Sequence, residues 1–199
     1  SDILASRVRH ISGCFARAIG EYEYKGRYRG VYPIKVNQQR QVVEELVNFG
    51  RPHHLGLEVG SKPELLVGLA TLDTPGALVI CNGYKDRAYM ELALLAQRLG
   101  RYVVIVLDRP NELDTLIKVS RELGIRPHIG VRARLASKGA GKWAESSGDR
   151  SKFGLSAEEL MNVVNRLRHD DMLDCLEMLH FHSGSQVTAI RAHKDAFRE

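Results

Sequence analysis

The sequence predicts an α/β fold, namely an incomplete (β/α)8 TIM barrel in which about six βα units are present. Three observations predict this fold. Short β-branched runs alternate with amphipathic stretches, which is typical of parallel strands joined by right-handed helical crossovers. Polar residues lie at or near the C-terminal ends of the predicted strands, and in a βα barrel those ends meet on one face. Both ends of the chain look cut, since it begins at Ser1 and no Gly or Pro closes its last predicted helix.

An open doubly wound sheet is the alternative architecture. A complete barrel usually needs about 250 residues, and this chain has 199, so length alone favours the open sheet. The polar residues favour the barrel, because in an open sheet only those at the reversal of strand order are expected to meet. These strand-end residues are Lys35, Glu58, Asn82, Asp108, Arg132 and His182.

The predicted elements follow in chain order. A helix comes first, over Ile3–Ile19, because apolar residues recur there at helical spacing. Six apolar runs are predicted as strands: Gly30–Val36, Leu55–Val59, Ala77–Cys81, Tyr102–Leu107, His128–Arg132 and Leu176–Ser183. Further helical patterns cover Gln41–Phe49, Pro63–Ala70, Arg87–Leu99, Asn111–Leu123, Ala157–Arg168 and Thr188–Glu199.

Several residues mark helix ends. Gly50, Gly100 and Gly124 are expected to be left-handed residues after helix C-termini. Pro63 suits a first helical position, and Ser156 suits an N-cap. No linker or composition break divides the chain, so residues 1–199 are predicted to form one domain that is truncated at both ends.

Composition and charge exclude several classes of protein. The chain is 44% apolar and 27% charged, which is ordinary globular composition. Its net charge is +5, but basic and acidic residues are interleaved, so no nucleic-acid partner is expected. The three cysteines are widely spaced and form neither a disulfide framework nor a zinc pattern, which suits a reducing compartment. Charge-free runs such as Thr74–Tyr84 are too short to cross a bilayer, so we expect a cytoplasmic protein without a membrane partner.

Lys35 and Glu58 are the first candidate site residues. A lysine in a barrel mouth is expected to be partly desolvated, which favours the neutral amine and imine formation with a carbonyl compound. Lys35 could instead be a solvated strand-end lysine whose stem packs on the sheet. Glu58 ends a predicted strand, whereas Glu64 lies in the next helix's first turn, where it complements the helix dipole.

The segment His180–Gln186 is the second candidate. His180 and His182 are expected to share one face of a strand. They could bind a metal ion, or one ring could stack on a flat cofactor while Ser183, Gly184 and Ser185 contact a phosphate. A hydrogen-bonded core histidine is the third interpretation. A loop of about twenty residues, Leu135–Leu155, is rich in Gly and Ser and suits a lid or a phosphate contact.

Several segments carry a family resemblance. Tyr32–Gln38 (YPIKVNQ) resembles the cofactor-lysine segment of the biosynthetic arginine decarboxylases. These enzymes belong, with ornithine and diaminopimelate decarboxylases, to the alanine-racemase-like fold type III pyridoxal-phosphate enzymes. Five further segments, which follow in order along nearly the whole chain, resemble the same branch: Gly56–Glu64 (GLEVGSKPE), Cys81–Asp86 (CNGYKD), Lys138–Trp143 (KGAGKW), Ser151–Ser156 (SKFGLS) and Leu179–Gln186 (LHFHSGSQ).

The resemblance implies roles for individual residues. Lys35 matches the lysine that binds pyridoxal phosphate covalently, and His182 matches the histidine stacked on its pyridine ring. Ser185 matches the serine that binds the phosphate. Glu58, Glu64 and Arg132 match residues near the cofactor, with less defined roles.

The resemblance also implies a function. It is the pyridoxal-phosphate-dependent decarboxylation of L-arginine to agmatine and CO2 in polyamine biosynthesis, by a homo-oligomer often found with Mg2+. In the family, a C-terminal β domain completes the site, so the 199-residue chain is expected to be inactive alone. Two other classes stay open: a non-enzymatic pyridoxal-phosphate-binding barrel, and a metal-dependent barrel hydrolase using His180 and His182.

Overall fold

The computed structural model describes residues 2–135, 153–184 and 190–198. Strands and helices alternate through these residues. The strands are β1 (Val31–Pro33), β2 (Gly56–Val59), β3 (Leu78–Cys81), β4 (Tyr102–Leu107), β5 (His128–Ala133) and β6 (Leu176–Phe181). The α-helices are α1 (Asp2–Glu21), α2 (Arg40–Gly50), α3 (Lys62–Thr71), α4 (Arg87–Arg98), α5 (Glu112–Leu123), α6 (Ala157–His169) and α7 (Ile190–Arg198).

The sheet follows chain order, β1-β2-β3-β4-β5-β6. A doubly wound sheet contains a reversal of strand order, and this sheet has none among the described strands. The pairs β1–β2, β2–β3 and β5–β6 are parallel. The predicted α/β fold is therefore confirmed, and the strand order favours the incomplete barrel over the open doubly wound sheet.

The chain divides into two compact units, Ser1–Val104 and Ile105–Glu199. In the first unit the core is built from β2, β3 and the inward faces of α2 to α4, with Leu57, Leu65 and Leu94 fully buried. In the second unit Leu116 of α5 and Ile129 of β5 are fully buried. Burial of such side chains contributes about 1.5–3 kcal/mol each.

The first predicted strand is shorter than expected. It ends at Pro33, and Ile34–Val36 form a 3-10 turn. Proline has no N–H to continue a ladder, and the side chain of Ile34 turns into the core, where it is 1% exposed. The last predicted strand is also shorter, because it ends at Phe181 and leaves His182 beyond the ladder.

Two of the three predicted left-handed glycines are confirmed. Gly100 and Gly124 have φ values of +83° and +63°. The prediction for Gly50 is wrong, because its φ is −80° and the left-handed residue is His54. A Cβ at Gly50 would lie 2.4 Å from Cβ of Leu55, so the small residue is required by packing instead.

The predicted N-cap Ser156 is confirmed, whereas Pro63 is the second residue of its helix and not the first. Ser156 is an N-cap whose hydroxyl accepts from the backbone N–H of Glu159, while the Glu159 carboxylate accepts from the Ser156 N–H. Helix α3 begins one residue before Pro63, and its N-cap is Ser61. No helix in the described part of the chain is both long and apolar enough to cross a membrane.

Candidate active site

Lys35 lies in the 3-10 turn that follows β1. The buried side chain of Ile34 anchors this turn from below. The Lys35 side chain is 64% exposed, so the expected partial desolvation is wrong for this structure. The 3-10 turn directs the Lys35 amine towards solvent, whereas the side chain of Ile34 packs into the core. The amine is therefore accessible and is held directly next to a buried residue at the end of β1.

Glu58 is the partner of the Lys35 amine. It lies within β2 and is 6% exposed. Its Oε1 accepts a hydrogen bond from Lys35 Nζ at 3.4 Å and a second one from Asn82 Nδ2 at 3.2 Å. A buried carboxylate is stable only when it is paired or hydrogen-bonded. These three residues, Lys35, Glu58 and Asn82, form what we call the lysine cluster.

The lysine cluster contains hydrogen-bond acceptors that are not engaged. Glu58 Oε2 and Asn82 Oδ1 are buried and have no hydrogen-bond partner among the described residues. Buried polar atoms are normally satisfied, so orphaned acceptors beside an accessible amine are typical of a ligand site. The two acceptors are therefore available to a ligand that supplies N–H or O–H groups.

Glu64 lies in the first turn of α3, as predicted. Its Oε2 accepts from the N–H of Gly60 at 2.7 Å, at the start of α3. Its Oε1 accepts from Gln38 Nε2 at 3.1 Å. Glu64 therefore ties the N-terminus of α3 to the segment that carries Lys35.

The backbone beneath the cluster is held by Tyr89. The carbonyl of Val59 accepts both the Tyr89 hydroxyl and the Asn82 N–H, each at 2.9 Å. Burial raises the pKa of the Tyr89 hydroxyl well above its usual value. Burial also raises the pKa of the neighbouring Cys81 thiol to about 12. Both groups are therefore neutral at physiological pH, and they act as packing and hydrogen-bonding groups.

Arg132 lies in the second unit, on β5. Its Nη1 donates to Asp108 Oδ1 at 3.3 Å, and its guanidinium lies 5.1 Å from the ring centroid of Phe153. Asp108 is 2% exposed, its N–H donates to Glu112 Oε2 at 2.8 Å, and its Oδ2 is buried without a described partner. The ion pair with Asp108 fixes the orientation of the Arg132 guanidinium.

The histidine segment is only partly described. His180 is half-buried in β6, whereas His182 follows the strand and is exposed. The expectation that both rings share one face relies on strand alternation, and His182 lies one residue beyond the end of β6, so it stays a prediction. Ser185 and most of the predicted Gly/Ser-rich loop, residues 136–152, lie outside the described residues.

The sequence identifies most polar residues of the candidate site, but it does not show which of them pair with each other. Asn82 and Asp108 were recognised as strand-end polar groups, but no partner was assigned to either. The signal was available, since consecutive strands in a sheet of unreversed order bring consecutive strand ends together. Tyr89 was missed entirely, since a tyrosine on the inner face of an amphipathic helix gives no sign of a distant carbonyl partner.

A match to a protein-family model shows the family to which the chain belongs. The model for the pyridoxal-dependent decarboxylase, pyridoxal binding domain, matches residues 9–199. The chain belongs to this family. The predicted resemblance is thereby confirmed, and the metal-dependent hydrolase interpretation is not supported. Among the described residues, no group of three His, Cys, Asp or Glu side chains is arranged to hold a metal ion.

Curated relatives are similar along the whole chain. A biosynthetic arginine decarboxylase of Gloeobacter violaceus is 61% identical over 199 residues, which are 100% of this chain and 31% of the relative. One of Nostoc sp. is 56% identical over 199 residues, 100% of this chain and 29% of the relative. The chain therefore spans less than a third of the length of these relatives.

Solved structures share the fold. The biosynthetic arginine decarboxylase of Campylobacter jejuni has a TM-score of 0.88 at 36% identity, covering 98% of this chain and 31% of that one. The arginine decarboxylase of the Paramecium bursaria Chlorella virus, solved with agmatine, has a TM-score of 0.56 at 18% identity, covering 85% of this chain and 41% of that one. The second likeness shows the fold alone.

Proposed function

We propose that the chain is the pyridoxal-phosphate-binding barrel domain of an arginine decarboxylase, which converts L-arginine to agmatine and CO2. The observation that carries the proposal is the lysine cluster, in which an accessible amine lies 3.4 Å from a buried carboxylate. Its support is the family membership and the relatives named as biosynthetic arginine decarboxylases. Because the relatives are named decarboxylases, this proposal is favoured over the non-enzymatic binding barrel.

Lys35 is proposed as the residue that binds the aldehyde of pyridoxal phosphate. Its amine reaches outward from the turn, as a nucleophile that must meet a carbonyl requires. Glu58 Oε1 holds the amine and is the nearest described carboxylate oxygen that can accept its proton. When bound, pyridoxal phosphate supplies an electron sink for the carbanion that is left by loss of CO2.

The other proposed cofactor residues rest on the family resemblance. Arg132 offers a guanidinium whose orientation is fixed by Asp108, which suits an anionic group of the cofactor. His182 offers an exposed ring for stacking on the pyridine ring. Ser185 is proposed as a phosphate ligand from its motif alone.

Several properties of the protein remain predictions. Homo-oligomer formation, Mg2+ dependence and a cytoplasmic location are expected from the resemblance. The same holds for residues 1–199 acting as one domain whose site is completed by a C-terminal β domain. The isolated chain is accordingly expected to release no agmatine from L-arginine. Agmatine production by the 199-residue chain alone is the result that contradicts this expectation.

Borohydride reduction in the presence of pyridoxal phosphate tests the cofactor site. Peptide mapping is expected to find the pyridoxyl adduct on Lys35, with the adduct lost in Lys35→Ala. Lys118→Ala is a matched control, since Lys118 is an exposed lysine of α5, and it is expected to leave the adduct in place. An adduct spread over many surface lysines contradicts the proposed site.

Carbon dioxide release by the full-length gene product tests the substrate. L-Arginine is expected to be decarboxylated, and L-ornithine and meso-diaminopimelate are the comparison substrates. A preference for either of these contradicts the arginine assignment while leaving the cofactor site intact. The two experiments therefore separate the chemistry from its specificity.

A further inference from the structure

Two donors share one oxygen of Glu58. Lys35 Nζ and Asn82 Nδ2 both donate to Oε1, at 3.4 and 3.2 Å. The Lys35 side chain is 64% exposed and carries the nucleophilic nitrogen. The lysine nitrogen changes partner when it reacts with a carbonyl carbon. Asn82 is therefore the donor to Glu58 that persists when the amine leaves.

Asn82 is well placed to be a fixed donor. It follows β3 directly, where Cys81 is in register with Val59 of β2. Its N–H is bonded to the Val59 carbonyl, which is also bonded to the buried Tyr89 hydroxyl. The next residue, Gly83, has φ +72°, and a Cβ there would lie 2.6 Å from the oxygen of Gly60. The backbone that carries Asn82 is thus packed directly against the loop that follows Glu58.

The Asn82 amide is also neutral. It orients the carboxylate by hydrogen bonding without cancelling its charge, so that the charge remains available to the amine. Glu58 Oε2 and Asn82 Oδ1 stay buried without described partners. This arrangement leaves acceptors open on the same two side chains, which is an independent indication that the pair belongs to a ligand site.

We propose that Asn82 is a positioning residue that holds Glu58 against Lys35 and keeps the carboxylate in place when the lysine amine reacts with a carbonyl compound. The inference deepens the proposed function and rests on it. It assigns Asn82 an effect that passes through Glu58, not through contact with the reacting atoms.

A double-mutant cycle tests the proposal. The readout is the rate of borohydride-trapped pyridoxyl adduct at Lys35 in the full-length gene product, followed by peptide mapping. Asn82→Ala is expected to slow the trapping about tenfold, which is the lower end of what a hydrogen bond to a charged group is worth. In the Glu58→Ala background, Asn82→Ala is expected to change the rate less than twofold, because its target is already gone.

Two further variants separate positioning from folding. Asn82→Asp has the same size, and at a pH high enough to ionise both carboxyl groups it cannot donate and repels Glu58, so we expect a larger loss there than with alanine. Asn48→Ala is the matched control, since Asn48 is exposed on α2, and it is expected to trap like wild type. Far-UV circular dichroism checks the fold of each variant, and Asn82→Asp carries the test if Asn82→Ala does not fold.

The outcomes are distinguishable. If wild type forms no adduct at Lys35, the proposed function fails. If wild type forms it and the Asn82 variants trap at the wild-type rate, the inference fails alone. An equal loss from Asn82→Ala in the wild-type and Glu58→Ala backgrounds also overturns it, because the effect then does not pass through Glu58.

Discussion

Gly56 opens β2, two residues before Glu58. A Cβ added there would lie 2.2 Å from the carbonyl oxygen of Leu78, whereas ordinary van der Waals contact begins at 3.4 Å. The obstacle is backbone, so Gly56→Ala requires the two strands to separate by about 1 Å, a form of overpacking. We expect the free energy of unfolding to fall by about 2 kcal/mol, net of the smaller gain from a less flexible unfolded chain.

Urea unfolding of the 199-residue chain, followed by circular dichroism, measures this loss. With a slope of about 2 kcal/mol per molar urea, the midpoint should fall by about 1 M. Gly13→Ala is the control, since an added Cβ there meets nothing within 4 Å and alanine favours a helix by about 0.5–1 kcal/mol. An unchanged midpoint for Gly56→Ala would refute the inferred closeness of the two strands.

Three more predictions concern stability and reactivity. Ser156→Ala removes the N-cap of α6 and should cost about 1 kcal/mol in urea unfolding, and a loss below about 0.3 kcal/mol contradicts the cap. A maleimide at pH 8 should label the exposed Cys14 in the folded chain but not Cys81, whose thiol has a pKa raised to about 12 by burial; rapid labelling of Cys81 before unfolding contradicts that burial. A hydrogen bond from Arg166 lowers the pKa of Asp170, so its contribution to stability is present above the unfolded pKa of about 3.9 and is lost as pH falls through the folded value. The urea midpoint of Asp170→Asn should accordingly fall less between pH 5 and pH 3 than that of wild type. An equal fall in the two proteins contradicts a stabilising contribution from ionised Asp170.

The fold was largely predictable because its signals are local. Apolar periodicity, helix caps such as Ser156 and left-handed glycines such as Gly124 depend on neighbouring residues, and these predictions agree with the structure. Gly50 was misjudged because its requirement is not local. It lies where the side chain of Leu55 returns against α2, and only the folded chain brings the two together.

The candidate site was predictable in identity but not in geometry. Lys35 and Glu58 were selected from the sequence, and the structure brings them together. The exposure of Lys35 was not predicted, because a single proline ends β1 early and turns the lysine out of the strand direction. Tyr89 contributes through a bond to a backbone carbonyl thirty residues away, which no residue pattern reveals.

Polar side chains at or near the end of one strand pair with those of the next strand in chain order. Glu58 in β2 receives Asn82 from the end of β3, and Arg132 in β5 pairs with Asp108 from the end of β4. In both pairs a buried carboxylate has one oxygen engaged and the other without a described partner. Burying such a group costs free energy unless something completes its hydrogen bonding. Two such carboxylates, each paired with a basic side chain at a strand end, therefore support the ligand-binding role that is proposed for these residues.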